Sequence, residues 1–207
     1  GAESLGGILG RDAALQRGAA KDDVALLQAQ LLERLPGSDP HLRLHEVDSI
    51  VRGAHEPVRG DVEVDRAREI FVRGPRALDF VQIISCNDHG KLAIGRAQYT
   101  GLMYPQGTFV DDLLVHRLAD DEYLLVVNAA NTDKDFTYLS ELADGESGVE
   151  VENQSDRWAQ IAVQGPLAQE ILQPLTVVDL AAIKYYRFTW GDVAGHRALV
   201  ARTGYTG

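Results

Sequence analysis

Apolar and polar residues alternate most regularly between Gln98 and Asn128, and the pattern predicts three strands over residues 98–103, 109–118 and 123–128. Pro105-Gln106-Gly107 and the stretch from Ala119 to Glu122 supply the intervening turns, so the strands should pair as antiparallel hairpins. The second strand carries Asp111 and Asp112, although aspartate is depleted in strands. Strict alternation puts Phe109, Asp111, Leu113 and Val115 on one face and Val110, Asp112, Leu114 and His116 on the other. Either carboxylate then stands among apolar neighbours, where partial burial would raise its pKa and suit it to proton or cation chemistry. The plainer alternative is a solvated pair at the mouth of the strand. Periodicity alone does not choose between the two aspartates.

The same pattern predicts a short strand over residues 69–72 and a helix opened by Gly74-Pro75, with Ala77, Leu78, Val81 and Ile84 as its apolar stripe. Thr132-Asp133-Lys134-Asp135 resembles a capping box and starts a helix through Phe136, Leu139 and Leu142, ended by Gly145 and Gly148. A strand over 149–152 follows. Further on, strands are expected at 158–163, 185–189 and 198–203, a helix over 167–172 after Gly165-Pro166, and a short helix over 178–183. The fold class is therefore α+β, with mixed or antiparallel sheets covered by helices on one face. Three divisions are expected: a segment 1–68, an α+β subdomain 69–152 carrying the aspartate pair, and a second subdomain 153–207. Within the first, residues 1–20 should be loosely ordered, and Val24, Leu27, Leu31 and Leu35 mark a packing helix over 22–35.

Composition narrows the function. Lys and Arg number 20 against 31 Asp and Glu, a net charge of −11, which argues against a nucleic-acid backbone or an anionic membrane as the main partner. Cys86 is the single cysteine, so no internal disulfide or cysteine metal cluster can form, and a reducing, cytoplasmic setting fits. No apolar run is long enough to span a bilayer. His41, His45 and His55 share no spacing that presents two metal ligands together, and no metal is expected.

The stretch GRAQYTGLMYPQGTFVDDLLVHRLADDEYLLVVNAANTDKDF resembles the T-protein of the glycine cleavage system, the tetrahydrofolate-dependent aminomethyltransferase. The likeness continues through Gln164-Gly165-Pro166, Tyr185-Tyr186 and Arg202-Thr203-Gly204-Tyr205-Thr206-Gly207, and so runs from Glu69 to the last residue. The resemblance implies two interleaved subdomains of the aminomethyltransferase folate-binding fold. It implies transfer of a one-carbon unit from the aminomethyl-lipoyl arm of H-protein to tetrahydrofolate, with ammonia released. Of the aspartate pair it points to Asp112 as the catalytic carboxylate, and it puts Tyr99, Asn128 and Tyr205 in the pterin pocket.

Upstream of Glu69 the likeness fades. His55-Glu56-Pro57-Val58-Arg59 only echoes the family's Glu-His-x-x-Val-Arg, and Asp65-Arg66-Ala67-Arg68-Glu69 stands where Asp-Val-Ser-His-Met-Gly-Glu is expected. So abrupt a departure is what a change of reading frame or a recombination would leave. The family continues beyond Thr-Gly-Tyr-Thr-Gly, so the resemblance also implies a chain cut within a motif. Two other readings remain: a folate-binding demethylase or maintenance protein, and an inactive fragment that keeps the sheet. The maintenance proteins' Lys-Gly-Cys-Tyr-x-Gly-Gln-Glu signature does not occur.

Overall fold

A computed structural model describes residues 61–63, 68–158, 160–164 and 166–203. The helix expected over 22–35, the segment 1–20, the three upstream histidines and Tyr205 lie outside the described residues. The chain divides into two units that interleave along the sequence. One takes in Gly1–Asp65, Arg157–Ala181 and Trp190–Leu199; the other takes in Arg66–Asp156, Ala182–Thr189 and Val200–Gly207.

The second unit is built on five antiparallel strands. In chain order they are β2 (Arg68–Arg73), β3 (Arg96–Met103), β4 (Phe109–Arg117), β5 (Glu122–Val127) and β6 (Glu150–Asn153), following a short β1 (Asp61–Glu63) in the other unit. Their order across the sheet is β3-β4-β5-β2-β6. Register fixes which side chains share a face: Ile70 pairs with Leu125, Val72 with Tyr123, Val115 with Leu125, and Leu113 with Val127. These residues, with Leu102, form one core with helix α1 (Ala77–Ile84) and helix α2 (Thr132–Ala143). Helix α1 contributes Ala77, Phe80, Val81 and Ile84, and α2 contributes Leu139. Both helices thus cover the same sheet face, as the α+β reading requires. Each fully buried aliphatic side chain here contributes about 1.5–3 kcal/mol from removal of apolar surface from water.

The edge of β3 is not left bare. Ala97 N–H donates to Tyr186 O at 2.9 Å, and Phe188 N–H donates to Gly95 O at 3.1 Å. Arg202 in turn clamps that segment, its Nε donating to Ile183 O at 2.6 Å and its backbone N–H to Arg187 O at 2.9 Å.

In the first unit, β1 pairs with β7 (Ala162–Gln164), and α3 (Ala168–Leu172) buries Ile171 against Ile161, Val163 and Leu167. The strands β8 (Phe188–Val193) and β9 (His196–Ala201) form a hairpin. Three expectations shift here. The strand foreseen at 158–163 starts only at Ala162, because a 3-10 turn, Ser155–Arg157, precedes it and the Trp158 ring packs against Trp190 at 5.9 Å. The strand foreseen at 185–189 starts at Phe188. Tyr186 has φ 57, a left-handed conformation that no strand accommodates. The helix foreseen over 178–183 shrinks to a 3-10 turn, Leu180–Ala182.

Gly74 illustrates a backbone requirement that no other residue meets. Its φ is +114, and a Cβ there would press into the carbonyl oxygen of Gly148. Arg76 N–H donates to that same oxygen at 3.0 Å, so the carbonyl cannot move aside freely. Gly74→Ala is expected to destabilise the protein by about 2 kcal/mol or more, read as a lowered urea midpoint. An unchanged midpoint would mean the turn relaxes at no cost.

Candidate functional site

The two aspartates sit at the start of β4, where the strand bulges. Leu102 pairs with Asp111, but Met103 already pairs with Phe109, so Val110 is the extra residue. The bulge corrects the simple alternation at the start of the strand. Val110 packs on the helix-covered core, whereas the Phe109 ring turns to the opposite face and lies over Gly101, whose lack of a side chain makes room for it. From Asp111 onward the alternation holds. Asp111 faces the helices and Asp112, paired with Gly101, faces away from them.

On that open face Tyr99 Oη donates to Asp112 Oδ2 at 2.8 Å. Asn128, immediately after β5, presents one amide to both carboxylates: its Nδ2 is 3.2 Å from Asp112 Oδ1 and 3.0 Å from Asp111 Oδ1. Three of the four residues singled out in the sequence thus meet in one hydrogen-bonded group; the fourth, Tyr205, lies outside the described residues. Asp112 is exposed, Tyr99 is 56% exposed and Phe109 is 68% exposed. The result is a carboxylate held by two side-chain donors between two accessible aromatic rings. The Asp112 carboxylate, by accepting the phenol's hydrogen bond and by its charge, raises the Tyr99 hydroxyl above the usual tyrosine range.

The expectation that burial lifts the pKa of the pair is corrected at Asp111. Burial pulls its carboxyl upward, but hydrogen bonds from the Asn131 side chain, the Asp112 backbone, Asp135 and Asn128 together outweigh that pull, and it lies below the ordinary value. The Asn131 bond is 2.8 Å and that from Asp112 N–H is 2.9 Å. The carboxyl that burial does raise is Asp135, to about 7, with the neighbouring Asp111 adding to the effect.

Asp135 is a residue the sequence reading missed, because it was assigned to a capping box. The helix is not capped that way. Asn131 precedes α2 without a side-chain cap, and the Thr132 hydroxyl donates backward to Ala129 O at 3.1 Å. Asp135 turns inward instead. A signal was available: an aspartate at the position where Leu139 and Phe136 define the buried stripe.

Two other sequence candidates have structural surroundings. His116 is 4% exposed, its ring 5.4 Å from that of Phe188. Cys86 is exposed, and the pKa of its thiol is lowered by hydrogen bonding with the Thr100 hydroxyl and by the Gly101 backbone N–H that donates to it. Among the described residues no group of three or more His, Cys, Asp or Glu is arranged to hold a metal ion. No described helix is long and apolar enough to cross a membrane.

Comparison with known families identifies the family of the chain. A model of the GCVT N-terminal domain matches residues 43–207. The chain belongs to the GCVT N-terminal domain family. The match begins ahead of Glu69, so it takes in the echo around His55 and Arg59 where the sequence reading saw the likeness fade. Aminomethyltransferase of Lysinibacillus sphaericus is 50% identical over 163 residues, covering 77% of this chain and 44% of that protein. Aminomethyltransferase of Acidobacterium capsulatum is 50% identical over 157 residues, covering 74% and 41%. The chain therefore spans less than half the length of these curated relatives. Among solved structures, glycine cleavage system aminomethyltransferase T from Bartonella henselae superposes with a TM-score of 0.58 at 26% identity, covering 72% of this chain and 39% of that one. Heterotetrameric sarcosine oxidase from a Corynebacterium species superposes with a TM-score of 0.52 at 17% identity, covering 78% and 80%, and this second likeness concerns the fold. The GCVT-family chain accordingly has the α+β architecture of that fold family.

Proposed function

We propose that this GCVT-family chain supplies the folate-facing part of an aminomethyltransferase of the glycine cleavage system. The substrate would be the aminomethyl group carried on the lipoyl sulfur of H-protein, and the acceptor tetrahydrofolate. The carbon leaves its bonds to sulfur and to the amine and becomes bonded to the two ring-side nitrogens of the folate. The two hydrogens displaced from those nitrogens leave with the departing groups, one on the ammonia and one on the dihydrolipoyl thiol. Proton movement at the folate nitrogens calls for a fixed base or charge partner beside the pterin.

The observation that carries this reading is the Asp112 carboxylate, exposed yet held by Tyr99 at 2.8 Å and Asn128 at 3.2 Å. A carboxylate with its oxygens tied at fixed directions loses little freedom when a ligand's N–H groups arrive. Tyr99 and Phe109, both exposed beside it, suit a flat heterocycle. The 50% identity to curated aminomethyltransferases supports the reaction class. Asp112 is read as the catalytic carboxylate, and Tyr99, Asn128 and Tyr205 as folate-binding residues. Neither a metal nor a nucleic acid has a part in this chemistry. The single cysteine and the bacterial relatives support a cytoplasmic setting.

A tetrahydrofolate titration tests the reading, in a chimera joining residues 43–207 to the remaining sequence of the Lysinibacillus relative. Saturable binding is expected, weakened about tenfold or more by Tyr99→Phe together with Asn128→Ala, which remove both donors to Asp112. Equal affinity in the double variant would contradict the site assignment.

A further inference from the structure

Asp135 has zero exposure, and neither of its oxygens meets an N–H or hydroxyl donor. Lys134 Nζ stands 3.5 Å from Oδ1, but it is half exposed and already donates to Val110 O at 2.8 Å. The start of β4 lies against this end of α2: Asp111 is on the helix-covered face and accepts from Asn131, just ahead of the helix, and Lys134 reaches the Val110 carbonyl, so the Asp111 carboxyl is the charged group that β4 brings to Asp135. Two facing carboxylates at a buried position cannot both ionise cheaply, and one proton held between them turns the repulsion into an O–H···O⁻ hydrogen bond.

Asp111 is also the hub of the polar network. It accepts from Asn131 Nδ2 at 2.8 Å, Asn128 Nδ2 at 3.0 Å and Asp112 N–H at 2.9 Å. Asn128 then reaches Asp112 Oδ1. The path from the buried carboxyl to the exposed one is continuous: Asp135, Asp111, Asn128, Asp112.

We propose that Asp135, protonated and hydrogen-bonded to Asp111, is a positioning residue that fixes the Asn128 amide and through it the Asp112 carboxylate. This rests on Asp112 being the group that meets the folate. Its raised value, about 7, agrees with the carboxyl holding a proton near neutrality. The charged groups acting on it are Asp111 from β4 and Lys134 from its own helix. The turn before α2 contributes the neutral Asn131, and β6 turns Val151 to the core. Because the folded value is raised, the favourable pairing is complete below the ordinary carboxylate range and is lost as pH rises through about 7.

The test uses two substitutions. Asp135→Asn keeps the size and supplies an amide N–H to Asp111 in place of the shared proton. Asp135→Leu keeps the branch at Cγ, is somewhat bulkier and supplies no donor. In the ligand-free 207-residue chain, the side-chain amide resonances of Asn128 and Asn131 should move with a midpoint near about 7 and stop moving in Asp135→Asn. In the chimera, Asp135→Asn should keep kcat for aminomethyl transfer within about threefold, while Asp135→Leu lowers it about tenfold or more. Amides that do not titrate, a midpoint that survives in Asp135→Asn, or an Asp135→Leu variant as active as the wild type would each overturn the proposal. Should Asp135→Leu fail to fold, the amide titration and the Asp135→Asn variant still decide it. Loss of tetrahydrofolate binding in the unmutated chimera would count against the functional reading alone, since the amide titration needs no ligand.

Discussion

Asp112→Asn is expected to cut aminomethyl transfer about a hundredfold, while leaving the protein folded. The substitution keeps the shape of the side chain, and position 112 is exposed, so little packing is lost. What disappears is the negative charge and the acceptor that Tyr99 Oη holds at 2.8 Å. A neutral amide cannot take a proton from a folate nitrogen or balance positive charge developing there. Asp111→Asn should cost transfer about tenfold, well short of Asp112→Asn, because Asp111 faces the helices rather than the open face and acts on Asp112 through the Asn128 amide. Its effect should fall mainly on stability, since three donors converge on that carboxylate. Steady-state kcat for both variants in the chimera, with urea denaturation of each, checks the contrast. Equal losses of activity would mean that the pair acts through the strand rather than through chemistry.

The second large effect is acid sensitivity at His116. Burial pushes this imidazole down from 6.5 to about 4, and a hydrogen bond to the Leu124 backbone only partly opposes the shift. The folded protein therefore holds His116 neutral over a range where the unfolded chain binds a proton. Stability from this group is complete above about 6.5, falls as pH drops, and is exhausted once pH passes below about 4. The difference corresponds to roughly 3 kcal/mol. His89, also depressed by burial, adds to the loss with the same sign. Urea unfolding at several pH values should show wild type losing roughly 3 kcal/mol more than His116→Leu over that window. Parallel pH curves for the two proteins would show that His116 takes up its proton without unfolding.

The central strands were legible in the sequence because their alternation is strong and their turns are marked by Pro105, Gly107 and the Ala119 to Glu122 stretch. The start of β4 was less so. A bulge changes the face of Phe109 by inserting one residue, and nothing in the local pattern of hydrophobic residues announces it. The meeting of Tyr99, Asp112 and Asn128 came from family resemblance, since their separations in sequence say nothing about a shared edge of the sheet. Asp135 was hidden by a competing local signal. Thr-Asp-Lys-Asp at a helix start reads as capping, and only the tertiary approach of β4 gives the aspartate a carboxyl to face. Around residues 185–189, the left-handed Tyr186 overrode the strand propensity of two adjacent tyrosines.

The most direct test of the account is ammonia release by the chimera supplied with aminomethyl-lipoyl H-protein, with and without tetrahydrofolate. The account predicts ammonia and methylenetetrahydrofolate in equal amounts, dependent on tetrahydrofolate and reduced about a hundredfold in Asp112→Asn. Ammonia release that is unaffected by Asp112→Asn would contradict it, as would a chimera that binds tetrahydrofolate and demethylates an N-methyl amine but leaves aminomethyl-lipoyl H-protein untouched.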